Sequence, residues 1–318
     1  GLANGVELEM VDQAGLRTIE PLARTVDRAI WSHTTGVSDP QAVTAALQSD
    51  LLARKVAIRT NTQVRSRRGS TLVTVAGVVQ AGHVVNTAGL YADTVAKWYG
   101  FCDDYVMMPF KGLYWYGTAR APHLQRHVYP VPDPRNPFLG VHFTVTPDGG
   151  VKVGPTAIPV LSRESYNGLR ADEAREVLGN FPAFLRGGHH DVPALLRSEL
   201  PKYCRRWLEH QARALVPSAA GFTIKGAPGI RAQLMHRTTG RLEMDFVVRG
   251  DERSTHVLNA VSPAWTSSFA FARYVVDHTQ VMIIGGAPGS TLVEARSPDR
   301  PPRVFFVMVG RAATLQDG

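Results

Sequence analysis

The stretch from residue 84 to residue 93 constrains the fold of this chain more than any other. It begins with Val84 and Val85, passes through the small turn residues Ala88 and Gly89, and continues as a helix-forming segment. A strand that turns directly into a helix brings backbone N–H groups toward an anionic ligand, typically a nucleotide pyrophosphate. The chain contains no Gly-x-Gly sequence, so the usual dinucleotide-binding fingerprint does not accompany this strand–helix junction.

The length and composition indicate a globular protein of one large domain or two joined domains. The chain has 318 residues, 44% of them hydrophobic, and no run reaches the length of about 18 apolar residues that a membrane span requires. Its first residues lack the basic and apolar segments of a signal peptide and an initiator Met, so we expect the sequence to begin inside a longer reading frame. Cys102 and Cys204 fit neither a disulfide framework nor a metal motif, which favours a reducing, cytoplasmic compartment.

The net charge of +8 raises the question of nucleic-acid binding, and the distribution of charge argues against it. Basic residues are scattered, and the dense runs are Arg-Ser-Arg-Arg at residues 65–68 and the pair Arg205-Arg206. No aromatic residues interleave with them as base-stacking platforms would. We therefore expect solvated surface and no nucleic-acid partner, while the basic field leaves open attraction of an anionic substrate or an anionic membrane surface.

The order of predicted elements indicates an α/β chain, α+β mixed, interrupted by an antiparallel sheet. Ser38 or Asp39 is expected to cap a helix whose first residue is Pro40. Apolar periodicity predicts the other elements: strands at residues 56–59 and 82–86; a hairpin joining 63–65 to 71–75; alternating strands at 107–116, 128–131 and 141–145; helices at 171–178 and 193–215; strands at 224–233 and 256–259; and a closing helix at 266–276. The alternating strands predict a sheet with one open face.

The last residues fit this pattern poorly. Residues 281–289 look like a strand entering a glycine loop, but the glycine spacing matches no nucleotide motif and Pro288 stands where a helix would begin. A phosphate site there is therefore disfavoured. Residues 299–302 are typical of a linker or a disordered end.

The block at residues 129–144, Tyr-Pro-Val-Pro-Asp-Pro-Arg-Asn-Pro-Phe-Leu-Gly-Val-His-Phe-Thr, resembles the L-2-hydroxyglutarate oxidase/dehydrogenase family. That family lies among the flavoproteins that include D-amino-acid and glycine oxidases. The resemblance extends from about residue 1 to about residue 276, and its supporting matches are Thr35-Gly36-Val37 with Asp39, the strand–helix junction, and residues 109–112, 229–233 and 259–263.

The resemblance implies FAD as cofactor, a 2-hydroxy acid as substrate, and an FAD-binding Rossmann-like domain with an inserted antiparallel-sheet substrate domain. Family members hold the ADP part of FAD on an amino-terminal βαβ unit with a Gly-x-Gly-x-x-Gly loop. Residues 1–5 resemble a later part of the family, so we expect that unit to be missing, through fragmentation or natural truncation. The expected divisions are residues 1–102 (first FAD-binding part), 103–222 (substrate domain), 223–280 (returning FAD-binding part) and 281–318 (atypical tail).

Several residues resemble positions that contact FAD in the family. The resemblance places the FAD pyrophosphate and adenine against backbone at Thr87, Ala88 and Gly89 and against the main chain of Val64, and it also assigns Gly229 to the cofactor site. Ser262 and Pro263 resemble a helix N-terminus directed at the flavin, where the helix dipole would stabilise reduced flavin. The alternative for both helix starts is an ordinary capped helix.

Arg231 and His142 are the first candidates for substrate chemistry. Arg231, in the Gly-rich segment at 229–233, carries a fork that can bind both oxygens of a carboxylate and stays charged near neutral pH; the alternative is a surface arginine that closes a strand. His142, in the most specific block, has a side chain suited to accept a hydroxyl proton or contact substrate. Its alternative is a hydrogen-bonded structural histidine.

Lys111 and Tyr114 lie on a strand that is expected to face the flavin. Lys111 stands where the family would have arginine, Leu113 where it would have glutamate, and Val145 where it would have a basic residue. These departures leave the flavoprotein prediction intact and put the substrate in doubt. The adjacent pair at residues 189–190 (His-His) is read as surface, because neighbouring side chains diverge and no third metal ligand is near.

The sequence therefore predicts an FAD-dependent oxidoreductase acting on CH–OH, with oxidation of L-2-hydroxyglutarate to 2-oxoglutarate as the first choice. Two alternatives stay open: an FAD-dependent amino-acid oxidase of the same fold, and a non-catalytic truncated fragment. The electron acceptor is expected to be oxygen or a quinone. A cytoplasmic location is expected, with peripheral association at the inner membrane left open.

Overall fold

The structure is a computed structural model, and it describes residues 2–132, 140–166, 171–187, 197–224, 228–260, 264–279, 292–295 and 303–305. Several predicted features lie outside these residues: most of the segment at 133–139, the histidine pair at 189–190, the helix start at Ser262 and Pro263, the glycine loop at 285–289 and the tail at 299–302.

The first part of the chain alternates short strands with three helices. Its elements are β1 (Leu8–Val11), α1 (Gln13–Ile19), β2 (Ala29–Ser32), α2 (Pro40–Ala53), β3 (Ala57–Arg59), β4 (Val64–Arg68), β5 (Thr71–Thr74), β6 (Gly77–Gln80), β7 (Val84–Asn86) and α3 (Ala92–Lys97). Strands β4, β5 and β6 form an antiparallel sheet of three.

Two local predictions in this part are confirmed. The side chain of Asp39 accepts a hydrogen bond of 2.8 Å from the Gln41 N–H, and Pro40 is the first residue of α2. Strands β4 and β5 pair as a hairpin, with Arg68 opposite Thr71. Both features depend on contacts between near neighbours in the sequence, which is why the residues alone predict them.

The rest of the chain adds most of the strands and three further helices. The elements are β8 (Tyr105–Gly112), β9 (Trp115–Gly117), β10 (His142–Val145), β11 (Val151–Gly154), β12 (Ile158–Pro159), α4 (Ala171–Arg186), α5 (Arg205–Ala212), β13 (Phe222–Ile224), β14 (Gly229–His236), β15 (Val247–Gly250), β16 (Ser254–Asn259), α6 (Ser268–Thr279), β17 (Leu292–Ala295) and β18 (Arg303–Phe305).

The α/β character of the chain comes from a parallel pair formed by β7 and β16, which are far apart in sequence. Strand β15 pairs with β16 on its other edge. Leu258 of β16 packs with Ala96 of α3 on one face of this sheet, and Val257 packs with Val275 of α6 on the other. Parallel strands need such covering helices on both faces, so the predicted fold class is confirmed for this part.

Strand β8 contradicts the prediction of one open face. Six successive residues, from Tyr105 to Phe110, are buried. Val106, Met108 and Phe110 pack in one core cluster with residues of α4, while Met107 packs on the opposite face in the cluster that contains Ala96. The strand is therefore the middle strand of its sheet, between β12 and β14, and side chains cover both of its faces.

The second antiparallel sheet, in the order β10, β11, β9, β13, does have two different faces. Phe143 and Val153 are buried against Leu208 of α5 in one cluster. Because side chains alternate along a strand, His142 and Lys152 lie on the other face, with His142 paired to Gly154 and Lys152 paired to Thr144. The predicted sheet with a polar face is thus found in β10 and β11.

Three predicted elements have different bounds in the structure. The helix expected over 193–215 is, where described, helical at residues 197–199, a 3-10 helix at Leu200–Tyr203 and a separate α5, because Cys204 between the last two is extended. The strand expected over 224–233 is two strands in different sheets, β13 beside β9 and β14 beside β8. The strand expected over 128–131 is a single bridge between Val128 and Phe143.

Helix α4 runs well past its predicted end at residue 178 and reaches Arg186, with Pro182 inside it. Phe184, near its end, is buried against Phe110 of β8, and this packing holds the last turns. Among the residues that the structure describes, no helix combines the length and apolar character needed to cross a membrane.

Candidate functional site

The strand–helix junction is held by one buried side chain, Asn86, at the end of β7. Its Oδ1 accepts a hydrogen bond of 3.0 Å from the Ala88 N–H, and its Nδ2 donates to the Ala92 carbonyl at 2.7 Å. Nδ2 also lies 3.1 Å from Nδ1 of His256 on the paired strand. The asparagine therefore fixes the turn between β7 and the helical segment that follows.

The turn leaves room for a ligand against its backbone. Gly89 begins a short 3-10 helix (Gly89–Tyr91) with φ +53°, and no atom outside its chain neighbours lies within 4 Å of the position that a Cβ would occupy. The first N–H groups of a helical turn have no partner within that turn. The open space is therefore at Gly89, while the Ala88 N–H already donates to Asn86.

Val64, the other candidate in this part, is buried in the core. Its side chain packs with Leu72, Ala81 and Val84, and its backbone pairs with Thr74 at a β-bulge. The side chain is therefore structural, and only the main chain can contact a ligand.

A cavity of about 280 Å³ lies where β8 ends and β14 begins. Tyr114, Arg231 and Gly229 line it, so the structure brings three of the predicted site residues together. Gly229 is paired directly with Gly112, and both glycines line the cavity. Thr156 and Ala157, on the segment after β11, form another wall.

Lys111 does not join this group. Arg231 is paired with Phe110 and Ile230 with Lys111, so alternation along the strands puts the Lys111 and Arg231 side chains on opposite faces. The Lys111 ammonium donates a hydrogen bond of 3.3 Å to the Ser165 carbonyl. Ser165 belongs to the turn at residues 162–166, whose Arg163 contacts the strand–helix junction through Asp93.

His142 is buried on the polar face of β10. Its Nδ1 lies 2.9 Å from the Gly140 carbonyl oxygen, which can only accept, so Nδ1 carries the proton and Nε2 is the acceptor nitrogen. The ring stacks on Tyr129 with centroids 4.3 Å apart and meets Tyr114 edge-on at 6.4 Å. Burial lowers the pKa of His142, and the positive charge of Lys152 adds to this against the opposing bond to Gly140.

The electrostatics of the cavity favour an anionic occupant. Burial lowers the pKa of Arg231, while Tyr114 and Glu199 oppose that effect, and an arginine remains charged at neutral pH in any case. Burial is also the main reason that the pKa of Tyr114 is raised, so its phenol stays neutral. The cavity therefore presents a cation and a neutral hydroxyl.

Sequence reasoning missed the polar layer behind the cavity. Glu199 is fully buried, forms an ion pair with Lys202 and accepts a hydrogen bond of 2.7 Å from the Ala157 N–H. It also missed Lys152, whose Nζ lies 4.5 Å from the centroid of the Tyr114 ring. The turn residues Asp148-Gly149-Gly150 between β10 and β11 were the available signal for a hairpin that places Lys152 on the His142 face.

The expectation of solvated surface at residues 65–68 is wrong for Arg67. Its guanidinium lies over the Tyr99 ring at 4.0 Å and donates a hydrogen bond of 3.0 Å to the Trp98 carbonyl. Arg67 therefore ties the β4–β6 sheet to the residues after α3. Arg205 and Arg206 are exposed at the start of α5, as expected.

Within the described ranges, no group of His, Cys, Asp and Glu side chains could hold a metal ion. Cys102 is buried and Cys204 is exposed, and both are free thiols. Burial is the main reason that the pKa of Cys102 is raised, to about 12. Neither cysteine is part of the cavity.

Comparison with known proteins gives the class of this chain. Residues 1–278 match the profile of the family described as "FAD dependent oxidoreductase", and the chain therefore belongs to that family. Curated relatives within it are L-2-hydroxyglutarate dehydrogenases. The protein of that name from Escherichia coli strain K12 is 30% identical over 318 residues, which cover 93% of this chain and 72% of the relative. The mitochondrial one from Nematostella vectensis is 35% identical over 308 residues, covering 87% and 66%.

Solved structures support the fold. An FAD-bound L-alpha-glycerophosphate oxidase from Mycoplasma pneumoniae superimposes with a TM-score of 0.60 at 20% identity, covering 86% of this chain and 66% of that one. Glycine oxidase from Geobacillus kaustophilus gives 0.52 at 15% identity, covering 87% and 65%. The chain thus spans about two thirds of the length of these proteins. FAD is the cofactor of the family, and the open backbone at Gly89 fits such a group.

Proposed function

We propose that this chain is part of an enzyme that oxidises L-2-hydroxyglutarate to 2-oxoglutarate with FAD. The single observation that carries the proposal is the convergence of Arg231 and Tyr114 on one cavity beside buried His142. The names of the relatives at 30–35% identity support the choice of substrate.

The reaction removes the hydroxyl proton and the C2 hydride from a 2-hydroxy acid, and bound FAD supplies the hydride acceptor. In this proposal Arg231 binds the carboxylate next to the reacting carbon with its guanidinium fork. Tyr114 orients the substrate across the cavity. Nε2 of His142 accepts the hydroxyl proton, because its neighbour Gly140 keeps the other ring nitrogen protonated.

The cofactor contacts are also proposals. Backbone at Thr87, Ala88 and Gly89, the main chain of Val64, and Gly229 would hold FAD, with Ser262 and Pro263 at the helix start beside the flavin. The Lys111 side chain lies on the face of β8 opposite to Arg231, toward the strand–helix junction. It would face the cofactor and the side of the substrate that is turned away from Arg231. The divisions at residues 1–102, 103–222, 223–280 and 281–318 follow the same assignment.

Anaerobic mixing of the purified, FAD-loaded protein with candidate substrates tests the proposal. L-2-hydroxyglutarate is expected to bleach the flavin almost to the absorbance of the fully reduced form. Glycine and D-amino acids are expected to leave the absorbance unchanged. Bleaching by an amino acid alone would favour the amino-acid oxidase. That alternative stays open because Leu113 and Val145 differ from the residues expected in the family. A protein that takes up no FAD under any condition would be the non-catalytic fragment.

The electron acceptor belongs to the same proposal. Oxygen consumption by the reduced protein would indicate an oxidase, whereas reoxidation by a soluble quinone analogue alone would indicate a dehydrogenase. In the second case we propose a cytoplasmic protein that meets the inner membrane peripherally, since a lipid quinone is reached only there. Sedimentation with anionic lipid vesicles tests that association.

A further inference from the structure

Lys152 stands on the polar face of the sheet that borders the cavity. It is paired with Thr144 on one side and with Tyr116 on the other. His142, two positions from Thr144 on β10, points to the same face. The Lys152 ammonium is therefore a neighbour of the proposed proton acceptor, not a lysine of the outer surface.

The ammonium group has an aromatic partner and no acidic one. Its Nζ lies 4.5 Å from the centroid of the Tyr114 ring, and no carboxylate of the described residues is within ion-pair distance. Asp148, on the turn before β11, bonds to the Gly150 N–H, and Glu199 is paired with Lys202. A cation–π contact stabilises an ammonium less than a carboxylate does, so this half-buried charge is available to a ligand anion.

Tyr114 connects this charge to the cavity. Its ring contacts Lys152, and the same residue lines the cavity with Arg231. Two cations, Lys152 and Arg231, thus border Tyr114. In the same region burial lowers the pKa values of Lys152 and His142. A ligand with two carboxylates could therefore contact one cation with each.

We propose that Lys152 binds the second carboxylate of a dicarboxylate substrate, while Arg231 binds the carboxylate beside the hydroxyl. This assignment rests on the proposed function for the 2-hydroxy acid and adds the residue that selects a diacid.

The test compares Lys152→Gln and Lys152→Arg with a matched surface control, Lys55→Gln, in the FAD-loaded protein. Lys55 is exposed, follows α2, and belongs to no strand of this sheet. KM and kcat are measured with L-2-hydroxyglutarate and with L-2-hydroxypentanoate, which has the same five carbons and one carboxylate. Calorimetry measures binding of glutarate and of butyrate without turnover.

Lys152→Gln is expected to raise KM for the diacid about 10- to 100-fold, the range for a hydrogen bond to a charged group, with kcat changed much less. KM for the monoacid and butyrate binding should stay the same, glutarate binding should weaken by the same factor, and Lys152→Arg should restore most of the loss. Equal effects on diacid and monoacid, or no effect on either, would overturn the proposal.

The two proposals fail separately. If the unmodified protein oxidises neither hydroxy acid, the proposed function is wrong, and the glutarate and butyrate titrations still decide the role of Lys152. A preference for glutarate that Lys152→Gln removes supports a diacid site for another reaction. The absence of any such preference contradicts it.

Discussion

Arg163 donates hydrogen bonds to both carboxylate oxygens of Asp93, and the two side chains are almost completely buried. Nη2 lies 2.9 Å from Oδ2, while Nη1 bonds to Oδ1 and to the Leu90 carbonyl. Burial by itself raises the pKa of Asp93, but the charge and hydrogen bonds of Arg163, with help from Lys97, bring it below the usual value. The pair joins the strand–helix junction to the turn at 162–166.

Removing the Arg163 fork should destabilise the protein strongly. Arg163→Met leaves the buried Asp93 carboxylate without its arginine partner and with only the more distant Lys97 as a cation, which costs about 3–5 kcal/mol of unfolding free energy. The matched control is Arg249→Met, because Arg249 forms a similar fork with Asp104 in a partly exposed position. We expect that control to cost less than about 1 kcal/mol. Urea unfolding measures both, and equal losses would contradict the structural role of Arg163.

Adding a methyl group at Gly89 should separate folding from cofactor binding. Gly89→Ala places an L-residue at φ +53°, with a cost of about 1–2 kcal/mol, and directs the new Cβ into the open space above the turn. Gly69→Ala has the same backbone penalty at the β4–β5 turn, where φ is +61° and no ligand is proposed. Only Gly89→Ala should weaken FAD binding, by about tenfold or more. Flavin fluorescence titration distinguishes the two variants, and equal affinities would exclude Thr87–Gly89 backbone from the FAD site.

Arg231→Leu should act mainly on substrate binding. Loss of the charged fork is expected to raise KM for L-2-hydroxyglutarate about 10- to 100-fold. Arg205→Leu, at an exposed position of α5, serves as the control for loss of an arginine. Steady-state kinetics provide the comparison, and a change in KM below about threefold would remove Arg231 as the carboxylate anchor.

His142→Gln should act on the proton-transfer step. The expected loss in kcat is about 10²- to 10⁴-fold with little change in KM, the usual contribution of a general base. His127→Gln is a close control, because His127 is on the same side of the sheet and uses Nδ1 to accept from the Val145 N–H. Since burial lowers the pKa of His142, the unmodified enzyme should lose activity only below the ordinary histidine range. An unchanged pH profile in His142→Gln would show that another group takes the proton.

His256 should make folding sensitive to moderate acid. Burial, His83 and Arg67 lower its pKa to about 4, with Asp251 opposing them, so the folded protein keeps it neutral where the unfolded chain takes up a proton. Stability is then lost as the pH falls from about 6.5 to about 4, by up to about 3 kcal/mol. His256→Asn keeps an acceptor for Asn86 near the position of Nδ1 and should be much less sensitive over that range. Unfolding free energies at pH 7 and pH 4.5 measure the difference, and parallel losses in both proteins would assign the sensitivity to other groups.

The residues that could be predicted were those whose surroundings are local. The cap at Asp39 and the β4–β5 hairpin depend on neighbours within a few residues, and the strand–helix junction depends on a short motif. Arg231 and His142 became candidates because they lie in recognisable blocks, and their roles stay predictions. All of these could be placed before their distant partners were known.

The relationships that were missed join segments far apart in the chain. Arg163 meets Asp93 across 70 residues, and no local pattern predicts which carboxylate a buried arginine will choose. The same limit applies to the two covered faces of β8, because burial on the second face is decided by α3 and β16 rather than by the strand. The opposite faces of Lys111 and Arg231 depend on the register of β8 against β14, which a one-residue shift would reverse.

The turn at residues 162–166 has a mechanical consequence. Through Arg163 it is fastened to α3, and through the Ser165 carbonyl it is fastened to Lys111 on β8. A hinge motion between α3 and β8 would have to break the buried Arg163–Asp93 ion pair and the Lys111–Ser165 hydrogen bond at the same time. The turn therefore resists relative movement of the strand–helix junction and β8, because one five-residue segment is bonded to both.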